Sequence, residues 1–221
     1  MTETMPDTMP PADPGISETE TPDVITGNHY HKYDSRNPAI RYLTRRFLAR
    51  LDGVLDGVMT EAPRGRVLEV GCGEGVIAKR LLQRWANVTA LDLPDATLRG
   101  WWREHPGPHY LHADAEHLPF PDNHFDVVVA VEVLEHLRDP DAGLAEMARV
   151  SSGHLVLSVP REPLFRTGNM IGGRHWGDWG NTPGHLNHWS TPSFVKFVSQ
   201  VGGIRAVEKP LPWTIAWARR I

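Results

Sequence analysis

Two runs of residues hold most of the chemistry this sequence offers. The first is Val67-Leu68-Glu69-Val70-Gly71-Cys72-Gly73-Glu74-Gly75, an apolar run closed by glycines at alternate positions. Glycine lets backbone approach a ligand closely, and a helix starting there turns its N-terminal amides toward the ligand. Glu69 precedes the first glycine by two residues, and Asp92 ends the next apolar run, placed to accept from ribose hydroxyls. The second run is Phe125-Asp126-Val127-Val128-Val129-Ala130-Val131-Glu132-Val133-Leu134-Glu135-His136-Leu137. Its strand should end near Val131, at the carboxyl edge where open α/β sheets bind ligands. If a short helix follows, Glu132, Glu135 and His136 stand at i, i+3 and i+4 on one face. Two carboxylates and an imidazole converging there can bind a divalent cation, or divide into a cofactor contact and a general base.

These residues need a scaffold, and the hydrophobic periodicity supplies one. Asn37-Pro38 opens an amphipathic helix with Ile40, Leu43, Phe47, Leu51, Leu55 and Val58 on one stripe and Arg41, Arg45, Arg46 and Arg50 on the other faces. From Arg66 short apolar runs alternate with helical stretches. The runs are Arg66–Val70, Val88–Leu91, His109–His112, Phe125–Val131 and His154–Val159; the stretches are Val76–Trp85, Asp95–Trp102, Asp141–Val150 and Thr191–Val201. Runs apolar on both faces suit a parallel sheet covered by helices. Two closing runs, Ile204–Glu208 and Trp213–Arg219, are joined only by Lys209-Pro210-Leu211-Pro212, too short for a crossover helix, so they form an antiparallel pair. The expected organisation is a tail over 1–25, a cap helix region over 26–62, and a cofactor-binding domain over 63–221.

Composition narrows the class. The chain has 221 residues, enough for one sizeable core. Its first 23 residues hold five prolines, six acids and no Lys or Arg, which predicts disorder. With a net charge of −4, the remainder carries only +2, too little to argue for nucleic acid or membrane by charge. No apolar run reaches the ~20 residues of a membrane helix, and the acidic start lacks the features of a signal peptide, so a cytoplasmic protein is expected. The single cysteine, Cys72, reads as a buried filler.

A glycine turn alone also fits a nicotinamide oxidoreductase. Three details favour S-adenosylmethionine (SAM): the position of Glu69, the Gly-x-Gly-x-Gly spacing, and Asp92 at the end of the following strand. Here the sequence resembles the class I SAM-dependent methyltransferases across Val67 to Ala218, including the antiparallel final pair. The resemblance implies an α/β, Rossmann-like seven-stranded sheet, mostly parallel with an antiparallel last strand and helices on both faces. It implies that Gly71, Gly73 and Gly75 hold the methionine part of SAM, Asp92 the ribose, and Asp114-Ala115 the adenine edge, with Glu69, Leu93 and Val131 completing the cofactor site.

The second run resembles two narrower groups, the ubiquinone-pathway O-methyltransferases and the small-RNA 2′-O-methyltransferases, both with Glu-x-x-Glu-His here. The second group adds a metal-binding His before its last major helix, and His185 stands at the matching place. His136 and His185 are thus the candidate catalytic residues, and Glu132, Glu135, His136 and His185 the candidate ligands for Mn, Fe, Co, Zn or Mg. His188 falls where the RNA group has a carboxylate, and there is no basic surface, so the expected acceptor is a small hydroxylated metabolite methylated on oxygen. The alternatives are a nicotinamide-dependent oxidoreductase and an RNA 2′-O-methyltransferase. The long stretch Arg161–Trp189, with Arg166, Arg174, His175, Trp176, Trp179, His185, His188 and Trp189, suits a loop closing over the acceptor; Tyr30, His31 and Tyr33 could face it. Because the acidic tail lacks apolar anchors, deleting residues 1–23 is expected to leave both melting temperature and SAM affinity nearly unchanged; differential scanning calorimetry and titration calorimetry check this.

Overall fold

The structure, a computed structural model, describes residues 37–104, 106–162 and 184–220. The expected tail, Tyr30, His31, Tyr33, Arg166, Arg174, His175, Trp176 and Trp179 lie outside the described residues. The chain begins with α1 (Pro38–Glu61), whose Asn37 cap accepts from the Ala39 amide at 2.9 Å, with Pro38 at the first helical position. There follow β1 (Val67–Val70), α2 (Val76–Leu82), β2 (Val88–Asp92), α3 (Ala96–Glu104), β3 (His109–His112) and β4 (Phe125–Val131). A 3₁₀ turn (Leu134–His136) leads to α4 (Pro140–Val150), β5 (Ser151–Pro160), α5 (Thr191–Val198), β6 (Gly202–Glu208) and β7 (Trp213–Arg220).

The seven strands lie in the order β3-β2-β1-β4-β5-β7-β6. The first five pair in parallel, and β7 runs antiparallel to both β5 and β6. The strand order reverses between β1 and β4, so their carboxyl ends open the crevice where such sheets place ligands. Every residue of β1 is buried, as are Val127 to Val131 of β4, because helices cover both faces. Leu68, Val70, Val128 and Ala130 pack with Leu144 and Met147 of α4 and Phe194 of α5. Val67, Val127 and Val129 pack with Phe47, Leu51, Leu55 and Val58 of α1 and Leu81 of α2.

The expected strands form with ends shifted by up to three residues. Two helices are shorter than their apolar patterns suggested. α2 ends at Leu82, and Trp85 turns inward instead, 1% exposed, its indole donating to Ala62 O at 2.7 Å. α5 ends at Val198, before the glycine pair that starts β6. No helix among the described residues is long and apolar enough to cross a membrane. Leu55 is fully buried between α1 and the sheet. Leu55→Ala is therefore expected to lower the unfolding free energy by about 2–5 kcal/mol in urea denaturation.

Candidate active site

The glycine turn is built by strict steric demands. Gly71 has φ +71°, and a β-carbon on it would come within 2.3 Å of a Val133 methyl, so only glycine lets the turn after β4 pack against it. The amides of Gly71 and Cys72 both donate to Leu91 O, at 2.8 and 2.9 Å, tying the turn to the end of β2. Gly73, with φ +49°, has open space where its β-carbon would stand. Gly75 caps the start of α2. The three glycines of the Gly-x-Gly-x-Gly spacing all take positive φ, so the expected tight turn between β1 and α2 forms.

Asp92 answers from β2. Its Oδ2 accepts the Gly73 amide at 2.7 Å and its Oδ1 the Leu93 amide at 2.8 Å. Burial raises its pKa, and those two amides pull it back only in part. Each oxygen keeps a lone pair for a ligand hydroxyl. Glu69 is 1% exposed; its Oε2 has no hydrogen-bond partner, and burial together with the nearby Asp92 charge pushes its carboxyl well above the ordinary range. Burial likewise raises the Cys72 thiol, followed by the charges of Glu69 and Asp92, which keeps it protonated and supports its reading as a filler. Asp114 is exposed at a tight turn and accepts the Glu116 amide at 2.9 Å, while Ala115 is buried in the core. Val131, 9% exposed, ends β4.

Hydrophobic periodicity gives no sign of the aromatic cluster beside this turn. Trp102 of α3 donates its indole N–H to Gly73 O at 2.9 Å and stacks on Tyr110, with centroids 4.8 Å apart and rings 6° from parallel. His112, in register with Asp92 across β2 and β3, lies 4.7 Å from the same indole. The Trp101-Trp102 pair, at the end of an expected helix, was the available signal.

On the other side of the turn the structure brings together Glu135, His136 and His185, whose ligand atoms all lie within 4.8 Å of one another. Glu135 is 1% exposed, and the two imidazoles meet edge to face at 5.0 Å. Docking of the segment after Gly184 makes this possible. The amides of Leu186 and Asn187 both donate to Glu135 O, and the Asn187 side-chain amide donates to Leu134 O at 3.2 Å and Leu137 O at 2.7 Å. His136 Nδ1 lies 2.9 Å from Gly184 O. A carbonyl can only accept, so Nδ1 carries the proton and the neutral ring has its lone pair on Nε2. His188 is exposed.

Glu132 departs from the expected set. It is not one of the converging three; its Oε1 accepts the Trp213 indole N–H at 2.5 Å. The shared helical face does not form because Glu132 takes φ +57° and the turn that follows is a 3₁₀ turn starting at Leu134.

Comparisons with known proteins bear on the fold and on the segment that carries this geometry. A family model described as "Methyltransferase domain" matches residues 68–157, from β1 into β5. Over that stretch the chain is similar to SAM-dependent methyltransferases. A demethylmenaquinone methyltransferase of Renibacterium salmoninarum is 35% identical over 136 residues, 61% of this chain and 56% of that protein. The ubiquinone/menaquinone biosynthesis C-methyltransferase UbiE of Psychromonas ingrahamii is 29% identical over 168 residues, 68% of this chain and 64% of that one. The chain thus spans somewhat more than half the length of these two relatives. Among solved structures, magnesium protoporphyrin IX methyltransferase of Synechocystis, with bound S-adenosylhomocysteine (SAH), superposes with a TM-score of 0.65 at 19% identity, over 86% of this chain and 91% of that one, a likeness of fold.

The buried carboxyl of Glu69 generates a prediction about the ligand-free protein. An acid whose pKa is raised by folding holds its proton more tightly in the native state, so its contribution to stability is fullest below about 4.5 and declines as pH rises through the higher native value. Glu69→Gln lacks that decline. In urea denaturation at successive pH values the variant is expected to gain on the parent protein as pH rises above 4.5, and a pH-independent difference would refute the assignment.

Proposed function

We propose that this protein transfers the methyl group of SAM to a hydroxyl oxygen of a small metabolite, assisted by one divalent cation held by Glu135, His136 and His185. The observation that carries the reading is the meeting of those three side chains, one carboxylate and two imidazoles, one turn beyond β4, while the glycine turn packs against Val133 of the same segment. In this displacement the acceptor oxygen forms a bond to the methyl carbon as the carbon–sulfur bond breaks. The sulfonium charge is discharged, the hydroxyl proton leaves, and SAH and a methyl ether are the products. The residues must align the two reactants, exclude water and remove that proton.

On the donor side the proposed contacts are Glu69, Gly71, Gly73, Gly75, Asp92, Leu93, Asp114, Ala115 and Val131. The remaining lone pairs of Asp92 suit the ribose hydroxyls, and two acids beneath the glycine turn favour a cationic ligand over a neutral one. On the acceptor side the donor set fits a cation. Two ligands each ~2.1 Å from a metal can stand at most ~4.2 Å apart, so a spread within 4.8 Å needs only a small closure. Mixed nitrogen and oxygen ligands suit Mn²⁺, Fe²⁺, Co²⁺ or Zn²⁺ better than Mg²⁺. A cation bound there would lower the pKa of the acceptor hydroxyl. Gly184 O fixes the His136 tautomer that presents Nε2 as a ligand.

The quinone-pathway names of the relatives, one of which specifies a C-methyltransferase, support a ring-bearing acceptor, on which we propose a ring hydroxyl. Deprotonating such a hydroxyl activates both the oxygen and the adjacent ring carbon, so product analysis by mass spectrometry and NMR assigns the methylated atom. A nucleic-acid acceptor is disfavoured by His188, and we place the reaction on a soluble metabolite in the cytoplasm. EDTA is expected to abolish turnover while leaving SAM affinity intact in calorimetry, with Mn²⁺ or Co²⁺ restoring it. His185→Ala should lose metal affinity and at least tenfold in turnover together. Full activity in excess EDTA would reduce His136 to a simple general base.

A further inference from the structure

Glu132 combines two features that the metal-assisted reading leaves unused. It holds φ +57°, a left-handed backbone that non-glycine residues adopt only when the surroundings impose it. At the same residue, which is half-buried, Oε1 accepts the indole N–H of Trp213 at 2.5 Å. A charge-assisted bond of that length in a water-poor setting is among the stronger side-chain contacts. Trp213 is 6% exposed and stands opposite Pro160 at the carboxyl end of β5, and its ring meets Phe47 of α1 at a centroid distance of 5.0 Å. A continuous path thus runs from the end of β4, across β5, to the first half of α1, and it starts three residues from Glu135.

The backbone makes the path. The Glu132 amide remains tied to Ser158 O at 3.0 Å, so β4 keeps its pairing with β5 up to this residue. The left-handed turn then aims the carboxylate toward β7 rather than along the face that Glu135 and His136 would share with it. We propose that Glu132 is a positioning residue for methyl transfer: through Trp213 it fixes the first half of α1 as one wall of the acceptor site. The strain is retained because a relaxed backbone would send the side chain elsewhere. This role rests on the methyl-transfer reading above; the contact itself does not.

The test separates the two. In ¹⁵N-labelled full-length protein, the indole N–H resonance that disappears in Trp213→Phe is expected downfield of the other indoles and should move upfield in Glu132→Ala. Both Glu132→Ala and Glu132→Gly remove the carboxylate, but only glycine relaxes at φ +57°, so Glu132→Gly should melt higher than Glu132→Ala while both lose activity. With 3,4-dihydroxybenzoate as acceptor probe and SAH formation as readout, Glu132→Ala should lower kcat/KM at least tenfold with SAM affinity and bound manganese unchanged. Glu132→Gln, whose amide oxygen still accepts from the indole, should recover to within about threefold of the parent. The double variant Glu132→Ala/Trp213→Phe should be no slower than the slower single variant. Loss of manganese in Glu132→Gln with Trp213→Phe fully active would overturn the proposal and make Glu132 a ligand; so would an indole resonance indifferent to Glu132. A wild-type protein that forms no SAH would overturn the functional reading and with it the kinetic role, leaving the contact to stand or fall on the resonance.

Discussion

Gly71 and Val133 pack with no room for a β-carbon between them, and the two halves of the site depend on that contact. The glycine turn that follows β1 and the turn that follows β4 leave adjacent parallel strands in the same direction, in register from Val67 against Val127. Any larger residue at 71 would force them apart at the carboxyl edge. With glycine there, the turn whose Gly73 donates to Asp92 packs at this rim against the segment that leads into Glu135 and His136. A reaction that moves a methyl group between two bound partners needs this proximity more than it needs a strong acid or base.

The rim is also an electrostatic arrangement. Glu69 and Glu135 are each 1% exposed, and Asp92 is buried enough for its pKa to rise, so three carboxyls stand where water cannot fully solvate them. Such groups remain protonated, engage amides, or await positive charge. Asp92 engages two amides. Glu69 is left to protonation in the free protein, and a cationic cofactor nearby would favour its ionised form.

Packing on the flanks serves the same rim. Trp102 closes the glycine turn from α3 through its bond to Gly73 O, and Trp213 closes the opposite side from β7 through its bond to Glu132. One indole gives its single donor to a backbone carbonyl and the other to a carboxylate, so each large ring is held in one orientation. Asn187 does the equivalent work for His185 by bridging the carbonyls of Leu134 and Leu137. A residue whose importance lies in saturating two carbonyls of a 3₁₀ turn has no pattern in the sequence to announce it.

The sequence alone determined the alternation of strands and helices, the parallel core, the antiparallel closing pair and the glycine turn. Each follows from short-range physics: apolar runs with no polar face, a linker too short for a crossover, and glycines at alternate positions that permit the positive φ of a tight turn. The position of Asp92 at the end of β2 was legible for the same reason, while its bond to the Gly73 amide was not. Only the tertiary structure decided where Glu132 points. Spacing at i, i+3 and i+4 places three side chains on one face only if the backbone is α-helical throughout, and pairing with β5 followed by a left-handed turn breaks that condition at its first residue. It also decided that His185 joins His136, because that meeting is made by hydrogen bonds between segments 48 to 53 residues apart, a distance over which no local periodicity carries information.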